Sequence, residues 1–335
     1  MTKPVFRLRT SEIAEQRERT NLAPGACLSS ESLGRAVLEE PDAWRTIFER
    51  DRDRILHSKA FRRLKHKTQV FMNPEGDHFV TRMTHTLAVT QIGGTIARAL
   101  SLNDDLAEAV CLGHDVGHSP FGHTGEDALS EFVDGEWRHS EQSVRIFNIL
   151  EPLNLTWEVL DGIRAHPWKV EEPASTHEGN IVRYSDRIAY LAHDALDALR
   201  ASVLDERSLP SDVVATFGTP GRDWVDVMVQ SVIDESFRRS EITMEPHILN
   251  AMHSLRSFMF ERVYLRPEAE GQRRRAQQIV RELVEYYMEH IDELPQSYLH
   301  EEANDLTQVL DYVSGMTDRY AIRIHDELFR PRLFE

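Results

Sequence analysis

An all-α fold is predicted by three features of the sequence. Apolar residues recur every three or four positions along most of the chain, and few runs alternate apolar with polar as a half-buried strand would. Residues that start and stop helices also stand where the periodic runs begin and end. Over 81–100, Met83, Leu87, Ile92, Ile96 and Leu100 are expected to share a buried side, with Arg82 and His85 near one another. Asn103-Asp104 then marks a helix start, because a short polar side chain can accept from the free amide of Leu106. That helix carries Ala107, Val110, Cys111 and His114 and is expected to end before Pro120, which has no amide hydrogen and pushes Ser119 out of helical geometry. Gly117, Gly122 and Gly125 predict a tight loop that lets backbone approach a ligand.

Farther on, Pro167 to Gly179 reads as a polar loop and Asn180 to Leu199 as a helix rich in alanine, leucine and isoleucine. Leu209-Pro210 to Thr219-Pro220-Gly221 has the proline and glycine punctuation of a linker, after which helices continue through the charged stretch at Arg273, Arg274 and Arg275. No internal repeat is visible. The expected division is an N-terminal segment 1–49, a core 50–205, and a helical C-terminal region 206–335 packed on that core.

Composition narrows the class. The chain has 335 residues, 41% hydrophobic and 28% charged, enough for a large core in one domain or two. Its formal charge of −17 argues against a general nucleic-acid coat, which needs a broad basic face. One stretch is the opposite: Arg50, Arg52, Arg54, Lys59, Arg62, Arg63, Lys65 and Lys67 outnumber Asp51 and Asp53, a density suited to a compact polyanion such as a nucleoside triphosphate. The alternative for that segment is a solvated helix face laced with ion pairs such as Asp51 with Arg54. With two cysteines, no apolar run of membrane-span length and no signal-peptide layout, the default expectation is a reducing cytoplasm.

The chemistry concentrates around Gly113-His114-Asp115-Val116-Gly117-His118. An imidazole and a carboxylate side by side can grip one metal ion, and His85 upstream with Asp186 downstream complete a mixed nitrogen and oxygen set. Taken alone, a His-Asp pair is also a common helix-end hydrogen bond. If Gly122 begins a helical turn, His123 and Glu126 are three apart and can touch, which makes a general acid or base; otherwise Glu126 is merely a first-turn acid favoured by the helix dipole. His139 in Arg138-His139-Ser140-Glu141-Gln142 is a weaker candidate of the same kind. Asp186, Tyr190 and Asp194, spaced by four, should project from one helix face, so that a phenol and a second carboxylate follow a metal ligand along one cleft.

Together these residues resemble the HD-domain superfamily of metal-dependent phosphohydrolases. Four longer stretches are more specific: Arg50 to Leu64, Lys67-Thr68-Gln69-Val70-Phe71, Gly113 to Glu126, and Gly315-Met316-Thr317-Asp318-Arg319-Tyr320. They resemble the deoxyguanosine triphosphate triphosphohydrolase family over roughly residues 40 to 325. The resemblance implies an HD-domain helical bundle with additional C-terminal helices. It implies His85, His114, Asp115 and Asp186 as metal ligands and His118, His123 and Glu126 as catalytic residues. It further implies His139 as a phosphate contact, Gln69 and Arg82 at the sugar and α-phosphate, Tyr190 against deoxyribose and Asp194 on its 3′-hydroxyl.

The expected reaction is metal-assisted attack of water on the α-phosphate of a dNTP, giving deoxynucleoside and tripolyphosphate. Arg50, Arg54, Arg62 and Lys65, with His118, are expected to hold the triphosphate. The ligand set suits Mg²⁺ or Mn²⁺ and could accept Fe²⁺, Co²⁺ or Ni²⁺. A homo-oligomer and an activating second nucleotide follow from the same resemblance, with nucleic acid a secondary partner. The rival readings are another HD phosphohydrolase, such as a 5′-nucleotidase or phosphodiesterase, and a non-catalytic nucleotide or single-stranded nucleic-acid binder.

Overall fold

A computed structural model describes residues 6–69, 80–300 and 303–331; Val70 and Phe71 of the second motif lie outside them. In order the α-helices are α1 (Ser11–Asn21), α2 (Ile47–His57), α3 (Lys59–Arg63), α4 (Arg82–Ala99), α5 (Asp104–Gly113), α6 (His123–Ser130), α7 (His139–Arg145) and α8 (Trp157–Ala165). They continue with α9 (His177–Arg200), α10 (Ser211–Phe217), α11 (Arg222–Arg239), α12 (Pro246–Met259), α13 (Pro267–Glu289), α14 (Asp305–Ser314) and α15 (Asp318–Phe329). Among the described residues there is no strand, only two isolated bridges. The all-α expectation holds.

Local chemistry sets the ends. Asn103 accepts from the amide of Leu106 at 3.2 Å, as predicted, and Thr46 and Glu49 form a reciprocal capping box ahead of α2. α9 starts at His177 rather than Asn180, because Thr176, inside the stretch read as loop, accepts from the Gly179 amide at 3.1 Å.

Packing then fixes the bundle. α4 and α5 lie against one another, α9 crosses both, and α2 and α8 close the sides of α5. Ile55, Val89, Ile92, Ile96, Leu106, Val110, Ile163, Ile181 and Ile188 are buried between them. Each such side chain contributes roughly 1.5–3 kcal/mol on leaving water. Leu87 is an exception to the predicted stripe, since it is 49% exposed. It sits about 140° around the helix from Ile92, so a face centred on Ile92 and Ile96 turns it outward.

The predicted linker is also corrected. Residues 211–217 form α10, whose Val213 and Phe217, four apart, are buried against α11 and α12, and the Trp224 indole donates to Gly218 O at 3.1 Å. A second apolar cluster joins Phe121, Leu129 and Trp137 to Val280, Leu283, Val309, Val313 and Met316, which packs α6 onto α13 and brings the C-terminal helices beside the loop that follows α5.

Candidate active site

Five elements converge on one pocket: α4 supplies Arg82 and His85, the end of α5 His114 and Asp115, α6 and α7 Glu126 and His139, and α9 Asp186, Tyr190 and Asp194. His114 donates from Nδ1 to Cys111 O at 2.6 Å, which turns its Nε2 lone pair inward. That buried Nε2 has no hydrogen-bond partner among the described residues, and neither has Nδ1 of buried His85. His85 Nε2 lies 3.1 Å and His114 Nε2 3.9 Å from Asp186 Oδ1, so His85, His114 and Asp186 each offer one ligand atom to a common point. Buried polar atoms are rarely left unpaired, and an imidazole lone pair aimed at a carboxylate is a donor set that fits a divalent cation. Asp115 is adjacent but engaged: Oδ2 accepts from Arg82 Nη1 at 2.8 Å, while Oδ1 lies 3.0 Å from His118 Nε2 and 3.8 Å from His114 Nε2.

Beside this set, Glu126 is ringed by imidazoles. Its Oε1 accepts from His139 Nδ1 at 3.0 Å and touches His118, and its Oε2 meets His123 Nδ1 at 3.3 Å. The predicted His123–Glu126 contact therefore forms, with His123 at the mouth (side chain 73% exposed) and His139 within (12%). Burial opposes ionisation of Glu126, yet His118, His139 and His123 hold it well below the usual carboxylate range. Asp115 is held down likewise by Arg82, His118 and His114 against its own burial. Burial, with Arg82 and His139 nearby, pushes His118 down to about 4.

His166, at the end of α8, was not singled out by sequence. It donates from Nδ1 to Ile163 O at 2.7 Å and turns Nε2 to within 3.1 Å of His139 Nε2. Three further residues were missed. Arg187, the neighbour of Asp186, stacks on Trp168 at 3.8 Å; Arg256 lies over Phe260 at 4.4 Å; and each has a buried Nε without a partner among the described residues. Both bear on Tyr190, and Asp194 accepts from Tyr264 at 2.8 Å. Burial pushes Asp194 up to about 7. The available signal was position: Arg187 and Tyr190 are three apart on the helix that carries Asp186, whereas Arg256 and Tyr264 come from α12 and the π-turn after it.

The basic segment does not deliver its cations here. Arg50 and Arg54 both bond Glu39, and Arg54 also reaches the Leu153 and Asn154 carbonyls. Asp51 pairs with Arg35 rather than Arg54. Arg62 is exposed and bonds Ser58 O at 3.2 Å, and Lys65 is exposed. Arg50 and Arg54, four apart on α2, turn toward the N-terminal segment, while Arg62 and Lys65 lie at the surface. The exception is Lys67: it is buried and donates to the carbonyls of His118 and Ser314, and burial with Arg63 and Arg82 nearby lowers it to about 7. Arg82 reaches the pocket through Asp115, and Arg82 Nε and Gln69 Oε1 are both buried without a hydrogen-bond partner among the described residues.

The loop carrying these groups is clamped. Asp318 accepts from Phe121 N and Thr68 N, both at 3.0 Å, which explains why a motif near the C-terminus accompanies the central one. Phe121 and Gly122 both have positive φ, and a Cβ on Gly122 would come within 2.6 Å of Arg82 Nη2. Only glycine lets Arg82 pass beneath.

Comparison with known proteins identifies the family. The HD domain matches residues 82–191, and the phosphohydrolase-associated domain matches 242–327. Fold and site thus define an HD-domain phosphohydrolase. A deoxyguanosinetriphosphate triphosphohydrolase-like protein of Caldanaerobacter subterraneus subsp. tengcongensis is 48% identical over 97% of each chain. Those of Desulfatibacillum aliphaticivorans and Clostridium perfringens are 44% and 42% identical, covering 95% and 97% of this chain and 97% and 99% of theirs. The chain belongs to the deoxyguanosinetriphosphate triphosphohydrolase-like family. A crystal structure of a phosphohydrolase from Bacteroides thetaiotaomicron shares the fold at a TM-score of 0.52 with 18% identity, covering 83% of this chain and 69% of that one. A hypothetical protein from Aquifex aeolicus does so at 0.50 with 20% identity, covering 84% and 68%. No helix among the described residues is long and apolar enough to cross a membrane.

Proposed function

We propose that this chain hydrolyses deoxynucleoside triphosphates at the α-phosphate, releasing deoxynucleoside and tripolyphosphate. The observation that carries this reading is the side-by-side pairing of a metal-capable triad, His85, His114 and Asp186, with the carboxylate-backed imidazoles around Glu126, joined through Asp115 and His118. A divalent cation, Mg²⁺ or Mn²⁺ first, held by His85, His114, Asp186 and the adjacent Asp115, would polarise an α-phosphate oxygen and make a water more acidic.

The remaining work belongs to the chain's own side chains. His139 is favoured over His123 as the proton donor to the departing 5′-oxygen, because it is the more enclosed and Glu126 fixes its ring. The Nε2 proton it shares with His166 is the one available to give up. Such a donor is worth about 10²- to 10⁴-fold in rate. Arg187, Arg256 and Arg82, each with an unpaired buried Nε, supply the donors a polyphosphate needs in place of Arg50, Arg54, Arg62 and Lys65. Tyr190 and Asp194 follow Asp186 along one face of α9, where a ring against C2′ disfavours ribose and a carboxylate takes the 3′-hydroxyl.

Metal-depleted protein given each dNTP singly and in mixtures, with Mg²⁺ or Mn²⁺ restored, tests this by ³¹P NMR. Tripolyphosphate is expected. Orthophosphate or pyrophosphate as first product would move the reading to another phosphohydrolase reaction, and turnover only in mixtures would reveal an activating nucleotide.

A further inference from the structure

His118, His123, Glu126 and His139 form a second group whose ligand atoms lie within 4.8 Å of one another, distinct from the triad of His85, His114 and Asp186. Its proton accounting is unusual. His166 gives its Nδ1 proton to Ile163 O, so its Nε2 accepts, and the proton between His139 and His166 sits on His139 Nε2. His118 Nε2 faces the Asp115 carboxylate at 3.0 Å and holds its proton there. The far nitrogens of both rings are therefore committed, and both Nδ1 atoms face Glu126 Oε1.

A proton on His139 Nδ1 satisfies the carboxylate on that side. Nδ1 of His118, which is buried, lies 2.5 Å from the same Oε1, so two ring nitrogens crowd one carboxylate oxygen. From the mouth, His123 Nδ1 approaches the other oxygen, Oε2, at 3.3 Å, with its ring tilted 58° to that of His139 and the centroids 6.1 Å apart. Two imidazoles inclined across a carboxylate that offers both oxygens suit one cation better than a set of protons.

We propose that Glu126, His123 and His139 form a second cation site of zinc type at the mouth of the pocket, with His118 stacked on the His139 ring at 3.8 Å behind it. Imidazole and carboxylate donors of this number fit Zn²⁺ or Co²⁺, and the His139–His166 contact is the kind of outer bond that orients a ligating ring. The exposed His123 side chain leaves the site reachable from solvent. An ion there takes the Glu126 oxygens that fix the ring of His139, so its occupancy inhibits hydrolysis; this last clause rests on the function proposed above.

The test is equilibrium binding of Zn²⁺ to the metal-depleted full chain, read by calorimetry and by metal content after gel filtration, with the visible spectrum of the Co²⁺ form as a check on geometry. Two equivalents are expected. Glu126→Gln should lose the second and keep the first, His123→Ala, a surface change that spares the fold, should weaken the second by about tenfold or more, and His85→Ala should lose only the first. A single equivalent in the unaltered chain, or a second one that survives Glu126→Gln undiminished, overturns the proposal. If no dNTP is turned over under any metal, the hydrolase reading falls, while the stoichiometry still decides the site.

Discussion

Two regions of this molecule bury polar groups in opposite ways. The N-terminal segment is held by carboxylates, most of whose oxygens are engaged, from the bundle and from within the segment itself; of Glu178, Oε1 takes Cys27 N and Oε2 has no partner among the described residues. Asp51 takes Arg35 and both the amide and hydroxyl of Thr156, Glu158 takes Leu33 N and Ser32 Oγ, and Glu18 takes both groups of Ser29. The histidine pocket leaves His85 Nδ1, His114 Nε2 and the Nε of Arg82, Arg187 and Arg256 without partners among the described residues. Burial alone therefore does not distinguish structure from function here. What sets the pocket apart is that its unpartnered atoms are gathered on imidazole and guanidinium nitrogens around one set of carboxylates, whereas others such as Glu178 Oε2 and His300 Nε2 are scattered.

The difference can be broken from either side, and the largest effect is expected in the pocket. Glu126→Gln keeps the volume and removes the charge that fixes His139, so turnover should fall about 10²- to 10⁴-fold. The melting temperature should barely move, and a fall in both together would mean that Glu126 is structural. Asp51→Ala should do the converse. It strands Arg35, whose side chain is 4% exposed, and should cost about 3–5 kcal/mol in denaturant unfolding while activity per folded molecule is kept.

Asp318 lies between the two cases, because it is structural in its bonds and adjacent to the site in its effect. Asp318→Ala frees the amides of Phe121 and Thr68, and a loss of about 2–4 kcal/mol is expected together with roughly tenfold slower turnover. Metal stoichiometry at His85, His114 and Asp186 should be unchanged.

Asp194 sharpens the comparison through pH. Its folded value of about 7 lies above the ordinary carboxyl range, so the unfolded chain releases this proton first. The stability it contributes is present at low pH and is lost as pH rises from about 4 through about 7, by at most on the order of 2–4 kcal/mol. Asp194→Asn should flatten that part of the stability curve, and an unchanged slope would reject the assignment. The smallest effect is expected at Leu38, which is 98% exposed: Leu38→Ser should change stability by less than about 0.5 kcal/mol.

Much of the fold was legible because its signals are local. Asn103 caps α5, Gly122 opens α6, and the four-residue spacing of Asp186, Tyr190 and Asp194 requires no tertiary information. The metal-capable residues were also legible, since few residue types serve and the His114-Asp115 pair is compact. Partnerships formed across the chain were not. Arg50 and Arg54 look identical in sequence whether they face a triphosphate or Glu39, and His166 acquires meaning only when α8 sets it against His139. The segment 209–221 was misread for a related reason: its prolines and glycines bracket one turn-rich stretch in which Val213 and Phe217 still make an apolar stripe. Leu87 shows the limit of periodicity, which identifies a helix more firmly than it identifies the buried face.

Hydrolysis in ¹⁸O-enriched water, with mass analysis of both products, tests the central claim most directly. Attack at the α-phosphorus with loss of the 5′-oxygen puts one ¹⁸O into a terminal phosphoryl group of tripolyphosphate and none into the deoxynucleoside. Label in the 5′-hydroxyl, or labelled orthophosphate with a nucleoside diphosphate remaining, would contradict it.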